Sequence, residues 1–332
     1  MINDVILPTG TQYEISHGPW QAVVTEQGAT LRSLRHNGDD VIKTFEADQS
    51  PASSQGQQLL PWPNRIRDGR YRFDDVDQQL AISEVDRNNA IHGLVAWSPW
   101  HLVEHTDSSV TQEIRIMARP GWPGTIDVRL THNLDDHGLT VTVRARNVGA
   151  TAVPFGYAAH PYFCLGGSID EWKIDAPFAS WLQVDDRLLP VRICGMDEVH
   201  TMSGQSLGQR TFDTAYTLDR EGTVGSPAWR IKVTSDETSH ELWGDATMGW
   251  AQIYTPDDRL SLAVEPMTCG PDAFNEGPTH GDAIRLESGD EVALTWGIAW
   301  AGCSGRHPEP PRFHKGWWLR ILPPSPRLGR SG

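Results

Sequence analysis

At 332 residues, with 38% hydrophobic and 21% charged side chains, the chain has enough apolar material to bury a sizeable core, and disorder is not expected over most of its length. A formal net charge of −15 argues against nucleic acid and anionic membranes as partners, since both are bound through clustered Lys and Arg, and favours a neutral small molecule.

The N-terminus, MINDVILPTGTQYEI, lacks the basic start and apolar stretch of a secretory signal, and no apolar run is long enough to cross a bilayer, so the expected compartment is the cytoplasm. From residue 21 onward the dominant pattern is period-two alternation. It recurs at 21–25, 113–118, 126–131, 139–146, 229–234, 260–265 and 292–299. Within 139–146, Leu139, Val141, Val143 and Ala145 fall on one face, and Thr140, Thr142, Arg144 and Arg146 on the other, as a half-buried strand requires. No window shows a sustained helical stripe, so helices should be few and short. Turn signals at Asn37-Gly38-Asp39, Asp68-Gly69, Asp136-His137-Gly138 and Ser288-Gly289-Asp290 separate the runs and are expected to join them mostly as antiparallel hairpins. The predicted class is all-β: one large antiparallel sandwich of two facing sheets, spanning residues 1–303. The last strand should end near Trp300, and residues 304–332, proline-rich and basic, read as a disordered or extraneous appendage.

Three stretches carry chemistry. PWPNRIRDGRYRF, residues 61–73, packs four arginines, two prolines and a tryptophan together, a mixture awkward for a core and suited to a loop that holds a polar ligand. Arg67, Arg70 and Arg72, flanking Tyr71 and Phe73, read as the solvated face of a strand. In PFGYAAHPYF an extended chain puts His160 on one face with Ala158 and Gly156, aimed at open space. In LSLAVEP, Leu260, Leu262 and Val264 fill one face, while Glu265 shares the other with Ala263 and Ser261. Both His160 and Glu265 precede a proline, which holds each of them extended. Such a pair suits general acid-base chemistry. Cys164, Cys194, Cys269 and Cys303 match no CxxC pattern and read as free, mostly buried thiols. Of the 14 tryptophans, Trp62 and Trp243 are placed near a cleft, and most of the others read as packing.

PWPNRI with GRYRF, NAIHGL, GYAAHPYF, TFDTAY and VEPMTCGPDAFN together resemble the aldose 1-epimerases, or galactose mutarotases, in order and approximate spacing from about residue 10 to about residue 302. The resemblance implies a galactose mutarotase-like β-sandwich binding a pyranose in an open cleft across one sheet. It implies that Glu265 takes the proton of the C1 hydroxyl, that His160 protonates the ring oxygen and that His92 places or polarises the sugar. Arg65 and Asp213 match positions that hydrogen-bond sugar hydroxyls, and Asn64 is grouped with them as a substrate-binding residue. Asp213, on a short match, is equally readable as a turn residue. The reaction so implied needs neither metal nor nucleotide. Two other readings stand beside it: a hexose-6-phosphate 1-epimerase on the same fold, which would need convergent arginines, and a non-catalytic carbohydrate-binding module, which would need neither His160 nor Glu265.

Overall fold

The alternation of residues 139–146 is realised from Val141 onward, whereas Thr140, expected on the wet face, is buried. Leu139, Val141, Val143 and Ala145 are each at most 1% exposed, whereas Arg144 and Arg146 face solvent. This run lies in Gly138–Asn147, the fourth strand of a nine-stranded antiparallel sheet. The computed structural model describes residues 6–218, 225 and 227–302. The proposed appendage at 304–332 and Cys303 lie outside them. Among the described residues the only helical segments are two single 3-10 turns, Ile169–Glu171 and His280–Asp282, and the expected all-β antiparallel class is the one observed.

The nine-stranded sheet runs in the order His101–His105, Ser109–Ile116, Ile126–Asp135, Gly138–Asn147, Glu291–Trp300, Ser239–Gly244, Trp229–Thr234, Lys173–Asp175, Ser203–Ser206. The final described strand, Glu291–Trp300, is therefore inserted in mid-sheet. A second sheet of eight strands has the order Pro190–Gly195, Phe178–Val184, Asp213–Leu218, Trp250–Tyr254, Leu262–Met267, Ala158–Ala159, Gln58–Leu59, with Tyr162–Phe163 also paired to Leu262–Met267. A four-stranded meander covers residues 12–40. Of the four predicted turns, Asn37-Gly38 and Asp136-His137 close hairpins. Asp68-Gly69 and Ser288-Gly289 instead link strands that pair elsewhere.

Both large sheets contribute to one apolar core: Ile231, Leu242, Leu294 and Trp296 from the first, and Tyr216, Ile253, Leu262 and Val264 from the second. A buried polar link also crosses it. The Tyr157 hydroxyl accepts from Trp296 Nε1 at 2.7 Å and donates to Gln58 Oε1 at 2.6 Å, so one phenol ties the central strand of the nine-stranded sheet to the edge strand of the other. The opposite face of the eight-stranded sheet carries a smaller apolar cluster, with Leu59, Ala158, Leu182, Ala215, Trp250 and Met267 among its members. The strand Leu262–Met267 is thus buried on both sides, and Leu260, expected to share its apolar face, lies outside the strand and is 56% exposed. Cys164, Cys194 and Cys269 are free thiols, but only Cys269 is buried.

Tyr157→Phe removes both bonds of the link and leaves Gln58 Oε1 and Trp296 Nε1 buried without partners. At about 1 to 3 kcal/mol for each of these two unpaired buried groups, urea denaturation should show a loss of roughly 2 to 6 kcal/mol.

Candidate functional site

The site grows from strand register. Ala158 pairs with Met267, and Tyr162 pairs with Ala263 in the same register, so the residue between them, His160, falls opposite Glu265. The ladder is interrupted here because Pro161 and Pro266 bring no N–H to it. On the other flank Gln252 pairs with Glu265, and Ala215 with Gln252. A transverse row, Ala215, Gln252, Glu265, His160, therefore crosses the sheet on the face turned away from the principal core.

In that row His160 Nε2 lies 3.2 Å from Glu265 Oε1. Both side chains are buried, so His160 does not face open space as the small neighbours suggested. Tyr162, two residues on and on the same face, stacks on the imidazole at 5.0 Å between centroids and anchors itself by donating to Ser53 O. His92 meets His160 edge to face at 5.6 Å. Gln252 Nε2 donates to Asp213 Oδ1 at 2.6 Å, which sets a second carboxylate beside the row.

The other wall is a two-stranded ribbon, Arg65–Arg67 with Asn89–Ile91. His92 N donates to Asn64 O, and both residues adopt positive φ, 64° and 52°. Gly93 then lets the chain pass against Leu60, whose carbonyl oxygen would lie 2.0 Å from a Cβ at this position. That contact gives the NAIHGL glycine a steric reason. Arg65 is buried, and its Nη1 donates to Asn64 Oδ1 at 3.2 Å. The ribbon is pinned from below by the segment that follows Glu265: Asp272 N donates to Arg65 O at 2.7 Å, and Asp272 Oδ1 accepts from Arg67 N at 2.8 Å.

Burial governs the electrostatics. It pushes the Glu265 carboxyl well above the usual carboxylate range, with the Asp213 charge adding to the rise and Arg65 opposing it. It pulls the His160 imidazole down to about 3. His92 is also held well below its ordinary value, by burial first and then by His160 and Arg65. The favoured forms are a protonated Glu265 and neutral imidazoles. In that state the pair carries one proton, held on Glu265, with His160 Nε2 3.2 Å away.

The structure brings Glu265, His160, His92, Arg65, Asn64 and Asp213 into one neighbourhood, with Asp213 on a strand rather than in a turn. It leaves Arg67, Arg70 and Arg72 outside, bonded to Asp272, Gln79 and Asp77 respectively. Trp62 is buried near Phe274, whereas Trp243 belongs to the nine-stranded sheet, beside Gly297 and away from the site. Sequence reasoning missed Gln252, although a glutamine at the centre of the apolar run Trp250–Tyr254 is a signal that alternation could have found. It also missed Glu84, which grips Arg65 from 19 positions away and had no local signal.

The sequence profile described as aldose 1-epimerase matches residues 11–298. The uncharacterized Escherichia coli protein YihR is 31% identical over 294 residues, covering 87% of this chain and 93% of its own. Human galactose mutarotase is 31% identical over 139 residues, 38% of each chain. Among solved structures, a galactose mutarotase-like protein from Clostridium acetobutylicum superposes with a TM-score of 0.76 at 17% identity, covering 86% of this chain and 93% of that one, a likeness of fold.

Asp213→Asn keeps an acceptor for Gln252 but removes the neighbouring charge. The Glu265 carboxyl should then titrate at lower pH than in the parent, as read by 13C NMR of the carboxyl carbons with Glu265→Gln for assignment.

Proposed function

The chain belongs to the aldose 1-epimerase family, and on that premise we propose that it interconverts the α and β anomers of an unphosphorylated aldose by acid-base ring opening and closure. The observation that carries this reading is the opposition of His160 Nε2 and Glu265 Oε1 at 3.2 Å, a potential acid and base side by side on the sheet face turned away from the principal core. With the cyclic sugar, Glu265 as carboxylate accepts the C1 hydroxyl proton while His160 as imidazolium gives its proton to the ring oxygen. The C1–O5 bond breaks, leaving an aldehyde at C1, a hydroxyl at C5, a protonated Glu265 and a neutral His160. Rotation about C1–C2 turns the other aldehyde face toward the hydroxyl, and the two transfers run backward to give the other anomer. The number of protons on the pair and sugar together never changes.

The post-opening charge state is the one that burial favours. The low-dielectric setting thus opposes separated charge on the pair, and a bound sugar that accepts and donates at C1 and O5 offsets that preference. Arg65, Asn64, Asp213 and Gln252 supply hydroxyl partners, and His92, neutral, completes the wall beside His160.

Against a hexose 6-phosphate stands the disposition of the arginines. Arg67, Arg70 and Arg72 are engaged outside the site, and Arg65 is already matched by the Glu84 carboxylate, so these four arginines, the ones nearest in sequence to the site wall, form no convergent cluster for a dianion.

Polarimetry of freshly dissolved α-anomers is the direct test. The chain should speed equilibration of at least one neutral aldose, and equilibration of a broad sugar panel at the buffer rate alone would leave a binding module. Glu265→Gln and His160→Asn should each lower kcat by roughly 10² to 10⁴-fold, with sugar binding retained in tryptophan fluorescence. Their combined loss should fall far short of the product of the two. The parent should work in its one-proton form, present above about 3, and lose activity as pH rises through the elevated Glu265 value.

A further inference from the structure

The Arg65 guanidinium is not free to choose its orientation. Its Nε donates to Glu84 Oε2 at 2.9 Å and its Nη2 to Glu84 Oε1 at 2.9 Å, a two-pronged grip in which both side chains are largely buried, 10% and 13% exposed. Glu84 is held in turn. Asn89 Nδ2 donates to Glu84 Oε2 at 2.8 Å, Arg87 Nη1 donates to Oε1 at 3.2 Å, and the backbones of Glu84 and Asn89 pair with each other. The loop carrying them is braced from the far hairpin: Arg187 Nε donates to Arg87 O, and Arg187 Nη2 to Asn89 Oδ1 and Asp68 Oδ1. With Nε and Nη2 occupied, Nη1 is the end of the fork that reaches Asn64 and the site.

We propose that Glu84 is a positioning residue for the reaction, fixing the Arg65 fork so that Nη1 is its donor to sugar and offsetting the guanidinium charge beside Glu265. The inference rests on the mutarotase reading of this site. Its electrostatic half follows from the groups that face Glu265: His160 opposite, Asp213 and Gln252 on one flank, Tyr162 above His160, and Arg65 as the opposing cation. Arg65 alone would favour the ionised carboxylate. The anion at Glu84 weakens that pull, so Glu265 remains basic enough to keep a proton after ring opening. Glu84 itself stays ionised: burial acts to raise its carboxyl, and the bonds from Arg65 and Asn89 outweigh it.

Two variants separate reach from charge. Glu84→Gln preserves shape and removes charge, so the alkaline limb of the kcat profile should move to lower pH by roughly half to one unit. Glu84→Asp preserves charge and retracts the grip, so KM should rise by about tenfold while that limb stays in place. A residue needed only for folding would lower the melting temperature and move neither quantity. Carboxyl 13C titration of the Glu265 and His160 pair reads the charge effect without activity, and the same downward shift is expected in Glu84→Gln. If the parent accelerates no anomer interconversion, the functional reading falls while this titration still decides the role of Glu84. A Glu84→Gln protein whose pair titrates as in the parent overturns the proposal. Should that variant not fold, Glu84→Asp decides: unchanged sugar affinity by fluorescence, or a displaced titration, overturns it equally.

Discussion

Everything at the site depends on one register. Leu262–Met267 meets its neighbour so that Ala158 and Tyr162 pair on either side of His160, and that alignment alone sets the imidazole across from Glu265. A slip of one residue would turn one of the two into the principal core, where an uncompensated ionisable group costs several kcal/mol. The prolines at 161 and 266 make the arrangement workable by opening the ladder where the side chains must converge. The residues before them are held extended, so the geometry is a property of the backbone rather than of long flexible side chains.

Burial is the second constraint, and it acts in one direction on every member of the pair. Carboxyl and imidazole are each driven toward the uncharged form, Asp213 reinforces the effect on Glu265, and Arg65 opposes it. The four groups form a balance in which no single charge can be altered without moving the others. This is why the Arg65 contact to Glu84, formally remote from the acid-base pair, bears on the same chemistry. It also separates Arg65 from Arg67, whose partner Asp272 serves to hold the ribbon in place.

Much of the fold was legible because alternation has a plain physical cause: a strand with one wet face must alternate. Residues 126–131, 229–234 and, from Val141 onward, 139–146 obey it and were placed within a few residues of their observed bounds. Alternation fails where both faces are covered. In Leu262–Met267 every residue is buried, so alternation gave the face of Glu265 correctly but not its burial, and the small neighbours of His160 suggested open space where Tyr162 actually stacks. His160 and Glu265 were legible as an extended pair because proline constrains the residue before it. Trp243 was misjudged because indole rings serve sheets and sugars equally well, and nothing local reveals that its neighbour across the strand is Gly297. The Glu84 contact to Arg65 was illegible for a related reason. Its carboxylate sits in the polar run SEVDRNN, and only the pairing of Arg65–Arg67 with Asn89–Ile91 folds that run back onto the arginine.

The insertion of Glu291–Trp300 between Gly138–Asn147 and Ser239–Gly244 has a consequence for how the molecule is made. Until that strand is synthesised, the nine-stranded sheet exists as two separate pieces, each with an open hydrogen-bonding edge and an exposed apolar face. The link from Trp296 to Tyr157 cannot form, and the second sheet has no completed surface to settle against. A chain still on the ribosome would therefore carry the open edge of Gly138–Asn147 through about half of its synthesis, joined by that of Ser239–Gly244 once residue 244 is made. Closure then comes as a single late event in which one strand seals both edges, so premature termination shortly before residue 291 would yield an aggregation-prone product rather than a slightly shortened protein.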